Sequence, residues 1–149
     1  MNIELIKRLR EETGAAILDV KQALADFDND YNKAKDHLMK KALLKADKKA
    51  ERNAADGLIH SYIHLGGKMG SLVHIACETD FVAKTEDFKK LCNEVALQVC
   101  TEDYENIEAL LAAPYIRDER KSVSDLVKET IAKTGEKIQI INFARFSVR

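Results

Sequence analysis

The chain has 149 residues, with 24 Lys plus Arg against 25 Asp plus Glu and a formal net charge of −1. That length suffices for one ordinary domain, or a small module tethered to a medium one, and the balanced charge excludes a global field that would draw a polyanion or a membrane surface. Three cysteines at irregular spacing, Cys77, Cys92 and Cys100, argue against a disulfide framework and for a reducing compartment.

No apolar run approaches the roughly 20 residues of a membrane span. The opening Met1-Asn2-Ile3-Glu4 is neither a signal peptide nor an Arg-rich transit sequence. The expected location is the cytoplasm or the equivalent organellar compartment, without membrane contact.

Residues 1–40 read as three short helices. Ile3, Ile6 and Leu9 have helical spacing, and Thr13-Gly14 ends the run. Ile17, Val20, Leu24 and Phe27 form a second stripe, broken at Asp28-Asn29-Asp30. Asp30 can cap a third helix through Ala34, Leu38 and Ala42. Residues 41–56 are rich in Ala and Lys and free of Gly and Pro, which predicts a basic, largely helical and solvated linker. From Lys40 to Arg52 six basic residues face two acidic ones.

Residues 57–149 predict an α+β core, a small mainly antiparallel three-stranded sheet covered by helices. Gly57 opens a hairpin. Ile59, Ser61, Ile63 and Leu65 alternate on one face, Gly66-Gly67-Lys68-Met69-Gly70 turns, and Val73, Ile75 and Cys77 are expected back on that same face. Phe88, Leu91, Cys92, Val95 and Val99 make a buried helical stripe. A short segment, Tyr104 to Ala113, closes at Pro114. Ser122 and Asp125 predict a capping box for a helix that ends at Gly135. Ile138 to Val148 reads as a final strand with apolar residues on both faces, the pattern of a strand buried on two sides.

Between the hairpin and the long helix stands Glu78-Thr79-Asp80-Phe81-Val82-Ala83-Lys84. Asp80 can serve here as an N-cap with Phe81 folded onto the helix stripe. Alternatively, the acid and the aromatic stand out in a connection, where function concentrates.

Three stretches resemble the signatures of the elongation factor Ts family. They are Leu9-Arg10-Glu11-Glu12-Thr13-Gly14-Ala15-Ala16-Ile17-Leu18-Asp19-Val20-Lys21, Ala54-Ala55-Asp56-Gly57-Leu58-Ile59 and Thr79-Asp80-Phe81-Val82, in family order and spacing. The resemblance implies a UBA-like N-terminal bundle and nucleotide exchange on the translational GTPase EF-Tu, without covalent chemistry. It places Thr79, Asp80, Phe81 and Val82 at EF-Tu, where they dislocate a Mg²⁺ ion. Arg10, Ile17 and Leu18 fall on contacts to the GTPase G domain, and Gly135 on a further contact. It also implies that this chain is one half of a duplicated core and pairs as a homodimer. Two departures stand out: Ala42 replaces the usual glycine, and the segment 101–116 is short.

Other chemistries fit less well. His60, His64 and His74 would share a hairpin face if Leu65 paired with Ser71, a possible zinc set. No carboxylate or thiolate joins them there, and a solvated face is the simpler reading. Gly66-Gly67-Lys68 fails as a phosphate loop, because Tyr62 stands where its first glycine belongs, Met69 replaces the Ser or Thr, and no helix follows. The cysteines have no basic partner to make a nucleophile. The linker lacks the aromatics of a nucleic-acid surface. The expectation is therefore no cofactor, no metal, no direct nucleic-acid contact and no catalytic residue. A helical interaction module with another partner is the main rival.

Overall fold

The computed structural model describes residues 2–148. Helices α1 (Ile3–Thr13), α2 (Ile17–Asp26) and α3 (Tyr31–Asp47) form the N-terminal bundle. Gly14 closes α1 in the left-handed region at φ 66°, and the Asp30 carboxylate accepts the Lys33 amide at 3.0 Å to start α3. Leu9, Val20, Leu24, Ala34 and Leu38 are buried together between the three helices.

With Ala42 where a glycine would end it, α3 runs on to Asp47, and Ala46 is buried in the second core. The helical, solvated linker expected over 41–56 therefore holds only in part. Residues 48–51 are turns, and 53–55 have no regular structure.

The second core contains β1 (Asp56–Ile63), β2 (Met69–Cys77), α4 (Asp80–Ala83), α5 (Glu86–Thr101), α6 (Ile107–Ala112), β3 (Pro114–Tyr115), β4 (Asp118–Ser122), α7 (Val123–Thr134) and β5 (Ile138–Ser147). The sheet order is β1-β2-β5, antiparallel throughout. Helix α5 covers one face, burying Phe88, Leu91, Cys92, Val95 and Val99 against Val73, Ile75 and Cys77. At about 1.5–3 kcal/mol for each large apolar side chain, this stripe is the main hydrophobic contribution to the core. The fold is α+β, as expected. Ser122 and Asp125 form the capping box of α7, and Gly135 ends it at φ 77°.

The register corrects the expected faces. Tyr62, and not Leu65, pairs with Ser71, and Ile59 pairs with His74, an odd shift from the Leu65–Ser71 pairing that a shared histidine face requires. Side chains alternate with period two, so an odd shift sends a whole row to the other face. Leu58, His60 and Tyr62 therefore share the covered face with Val73, Ile75 and Cys77. Ile59 and Ile63 lie on the open face, 61% and 66% exposed. His60 and His74 fall on opposite faces, which removes the geometric basis of a hairpin zinc set.

Strand β5 carries a bulge. Ile75 pairs with Ile140 but His74 with Asn142, leaving Ile141 without an opposite residue. The bulge shifts the phase, so that Ile138, Ile140 and Phe143 all reach the covered side. The run that reads as buried on two sides is instead one buried row and one open row, with Phe146 and Val148 exposed.

The β3–β4 hairpin has no counterpart among the sequence expectations. Gln98 of α5 anchors the short segment leading into it. Its amide donates to the Tyr104 hydroxyl at 2.8 Å and the Pro114 carbonyl at 3.1 Å, and it accepts the Ile116 amide at 2.9 Å. The Tyr115 hydroxyl and the Arg117 guanidinium both donate to Glu94. Burial raises the Glu94 pKa, but these two donors outweigh it and hold the carboxyl below its usual range.

Candidate functional site

The segment Glu78–Lys84 leaves β2, turns once through α4 and enters α5. The cap of α4 belongs to Thr79, not Asp80: the Thr79 hydroxyl accepts the Val82 amide at 3.4 Å. Asp80 is the first helical residue, and its carboxylate meets Lys84 Nζ at 2.8 Å in the open. The hydrogen bond from Lys84 and its charge lower the Asp80 pKa, so the group is an ionised, exposed acid near neutral pH. Phe81 does not fold onto the helix stripe. It is 78% exposed, while Val82 beside it is buried in the core.

The loop is fixed from behind. Glu136, just past the cap of α7, accepts the Glu78 and Thr79 amides on Oε1 at 3.1 and 3.0 Å and the Thr79 hydroxyl on Oε2 at 2.7 Å. In return, Glu78 Oε1 accepts the Lys137 amide at 2.7 Å. Arg52 Nη1 lies 3.5 Å from Glu78 Oε1 and donates to the Gly135 carbonyl at 3.4 Å. The Cys77 thiol donates to the Thr79 carbonyl at 3.1 Å. Burial pushes that thiol up to about 11, so it stays protonated and able to donate. Hydrogen bonds to an ionised acceptor are the stronger kind, and Glu136 gathers three of them.

Arg10, Ile17 and Leu18 lie on the bundle. Leu18 is 78% exposed, and Arg10 and Ile17 line a shallow notch with Ile3, Ile6 and Lys21. The bundle reaches the loop through α7. Gly14 packs so tightly on that helix that a Cβ there would lie 2.8 Å from Lys133 Cα. Lys133 precedes Gly135 by two residues, and Glu136 holds Thr79. Gly135 is thus joined to Thr79 through its neighbour Glu136, and the bundle reaches the same loop through α7. Glu136, Glu78 and Arg52 escape sequence reasoning, because a carboxylate bonded to backbone amides 57 and 58 residues away leaves no periodic trace.

Among the described residues, no group of three His, Cys, Asp or Glu stands close enough to hold a metal ion. No described helix is long and apolar enough to cross a membrane.

The family model described as elongation factor TS matches residues 78–149. An elongation factor Ts of Nostoc sp. is 43% identical over 148 residues, which cover 99% of this chain and 47% of that protein. The chain thus spans about half the length of that relative. An elongation factor Ts of Coprothermobacter proteolyticus is 36% identical over 193 residues, covering 99% of this chain and 98% of that protein. One from Synechocystis sp. is 36% identical, covering 97% and 88%. The longer aligned spans mean that these two relatives carry internal residues without a counterpart here. With matches that take in nearly the whole of both chains, this chain belongs to the elongation factor Ts family of translation elongation factors.

Proposed function

We propose that the chain promotes release of GDP from the GTPase EF-Tu by inserting the Asp80-Phe81 loop. One observation carries this reading: Phe81 is a large aromatic, 78% exposed, on a loop fixed by a helix cap and a carboxylate clamp. A GTPase of this kind holds its nucleotide through phosphate-loop amides, a lysine and Mg²⁺. Mg²⁺ demands near-ideal octahedral geometry, so a small displacement of its surroundings weakens nucleotide binding. Phe81 enters as the wedge, and the ionised Asp80 disturbs the Mg²⁺ environment from beside it. Thr79 and Val82 hold the loop's shape through the cap and the buried anchor.

Arg10, Ile17 and Leu18 grip the G domain, and Gly135 lines the same surface as the loop. In this reading residues 1–40 are the EF-Tu-binding bundle, 41–56 the basic connection, and 57–149 the core and dimerisation unit. Exchange is linkage: the factor binds the nucleotide-free GTPase best, so factor and GDP weaken each other reciprocally. No bond to substrate is made or broken. The test is stimulated release of a fluorescent GDP analogue from EF-Tu by Phe81→Ala at matched circular dichroism. Release slows under this reading, and unchanged release at every concentration rejects the wedge.

The same reading includes a homodimer. Ile59, Ile63, Leu72 and Phe146 leave the outer face of the sheet apolar and uncovered. A second copy fits that face because identical apolar rows are self-complementary about a two-fold axis. All three cysteines are buried, so the contact is non-covalent. Sedimentation at micromolar concentration gives a dimer with and without reductant, and Phe146→Asp gives a monomer. A monomeric wild-type chain, or a dimer lost only in reductant, refutes this part.

A further inference from the structure

We infer that Glu136 is a positioning residue for nucleotide release: its carboxylate pre-sets the Thr79-Asp80-Phe81 loop in the conformation that enters the GTPase. The inference rests on the wedge reading and extends it to residues outside the loop. Three bonds converge on one side chain from two consecutive residues, at 3.1, 3.0 and 2.7 Å. They fix the residue before Asp80 in both its backbone and its side chain, just where the chain leaves the sheet.

The Glu78 carboxylate answers by accepting the Lys137 amide at 2.7 Å, so the two carboxylates and three amides form a closed, reciprocal pair of turns. Arg52 lies across both halves, against Glu78 and the Gly135 carbonyl. The tip itself stands open: Phe81 and Asp80 are both exposed, with Val82 and Ala83 buried behind them. A tip without packing of its own keeps its direction through its root: the Thr79 cap, the buried Val82 and Ala83, and the backbone that Glu136 holds. Without the clamp, Phe81 would sample many directions, and the partner would have to order it on binding.

The clamp therefore governs the rate at saturation more than the binding of the chain, since the gripping surface on the bundle is untouched. The oxygen of a glutamine can still accept both amides, and its amide nitrogen can donate to the Thr79 hydroxyl in reversed polarity. Glu136→Gln is thus a conservative rescue, and Glu136→Ala is not.

The experiment compares wild type, Glu136→Ala, Glu136→Gln and Phe81→Ala in the full chain. Amide hydrogen exchange is read at Glu78 and Thr79, and GDP release from EF-Tu is read as a maximal rate and a half-saturating concentration. Glu136→Ala should lose protection at both amides and lower the maximal rate about tenfold, with less than about a twofold change in half-saturation. Glu136→Gln should restore most of both, at an unchanged unfolding midpoint. Unchanged amide protection in Glu136→Ala overturns the inference, as does an unchanged maximal rate while Phe81→Ala slows release. Equal losses in the Ala and Gln variants overturn it too. If Phe81→Ala itself releases GDP normally, the wedge reading falls and this role falls with it. Loss of amide protection in Glu136→Ala would still separate that outcome from an absent clamp.

Discussion

The bundle and the α+β core use apolar residues in opposite ways. The core gathers its large side chains inward around α5 and, apart from the apolar outer face of its sheet, leaves Phe81 standing on a clamped loop. The bundle buries a much smaller set and leaves Ile3, Ile17 and Leu18 on its surface. Ile17 and Leu18 are consecutive on a helix, so they cannot both face the same core. The small interior still carries most of the bundle's stability, and partly exposed ion pairs add to it at the surface: Glu12 of α1 meets Lys35 of α3 at 2.7 Å, and Asp19 of α2 meets Lys41 of α3 at 2.8 Å. The difference teaches a division of labour. In the proposed reading the rigid unit offers the GTPase one hard point, Phe81, and the small unit offers it a sticky face that includes Ile17 and Leu18.

Mutations that hit one unit should leave the other's task intact. Loss of the hard point has the largest effect. Phe81→Ala removes about 2–4 kcal/mol of coupling, roughly a 30- to 700-fold loss of stimulated release. Next comes the sticky face. Ile17→Asp with Leu18→Asp should weaken binding to EF-Tu by about 2 kcal/mol while the maximal release rate at saturation survives. Titrating release against factor concentration checks this, and undiminished affinity would end the division.

The smallest effect concerns pH. The hydrogen bond from Lys35, helped by Arg8, lowers the Glu12 pKa to about 2. A depressed carboxyl contributes stability that is present above its unfolded value of about 4.5 and lost as pH falls through 2. The bundle should therefore loosen across that window, by about 1 kcal/mol or less because the pair is partly solvated. Acid titration followed by amide exchange in α1 and α3 should show the loosening, and Glu12→Gln should remove this component of it.

Signals that depend on a few neighbouring residues are legible in the sequence. The caps at Gly14, Asp30, Ser122 and Gly135 and the α5 stripe from Phe88 to Val99 each depend on a few neighbouring residues. The hairpin faces were not legible, since parity depends on which residue begins the turn. Ile59 and Val73 look equally suited to the interior until pairing decides. The β5 bulge at Ile141 is hidden for the same reason: six apolar residues read as two rows, whichever side they occupy. In the candidate site, Asp80 and Phe81 were visible through motif resemblance. The clamp from Glu136, Glu78 and Arg52 was not, because its partners are backbone amides and carbonyls that every residue carries.

Helix α3 has one further consequence. It is a single rod with Leu38 seated in one core and Ala46 in the other, and no glycine interrupts it. A rod that spans two bodies fixes their relative phase as a shaft fixes two gears. Each residue added between Leu38 and Ala46 would move the bundle about 1.5 Å along the axis and turn it by about 100°. Adding four would return nearly the same facing at roughly 6 Å greater reach. The number of residues between those two seats is a length standard: it sets the spacing and angle between the bundle surface and the clamped loop, and, in the proposed reading, whether both can meet the GTPase at once.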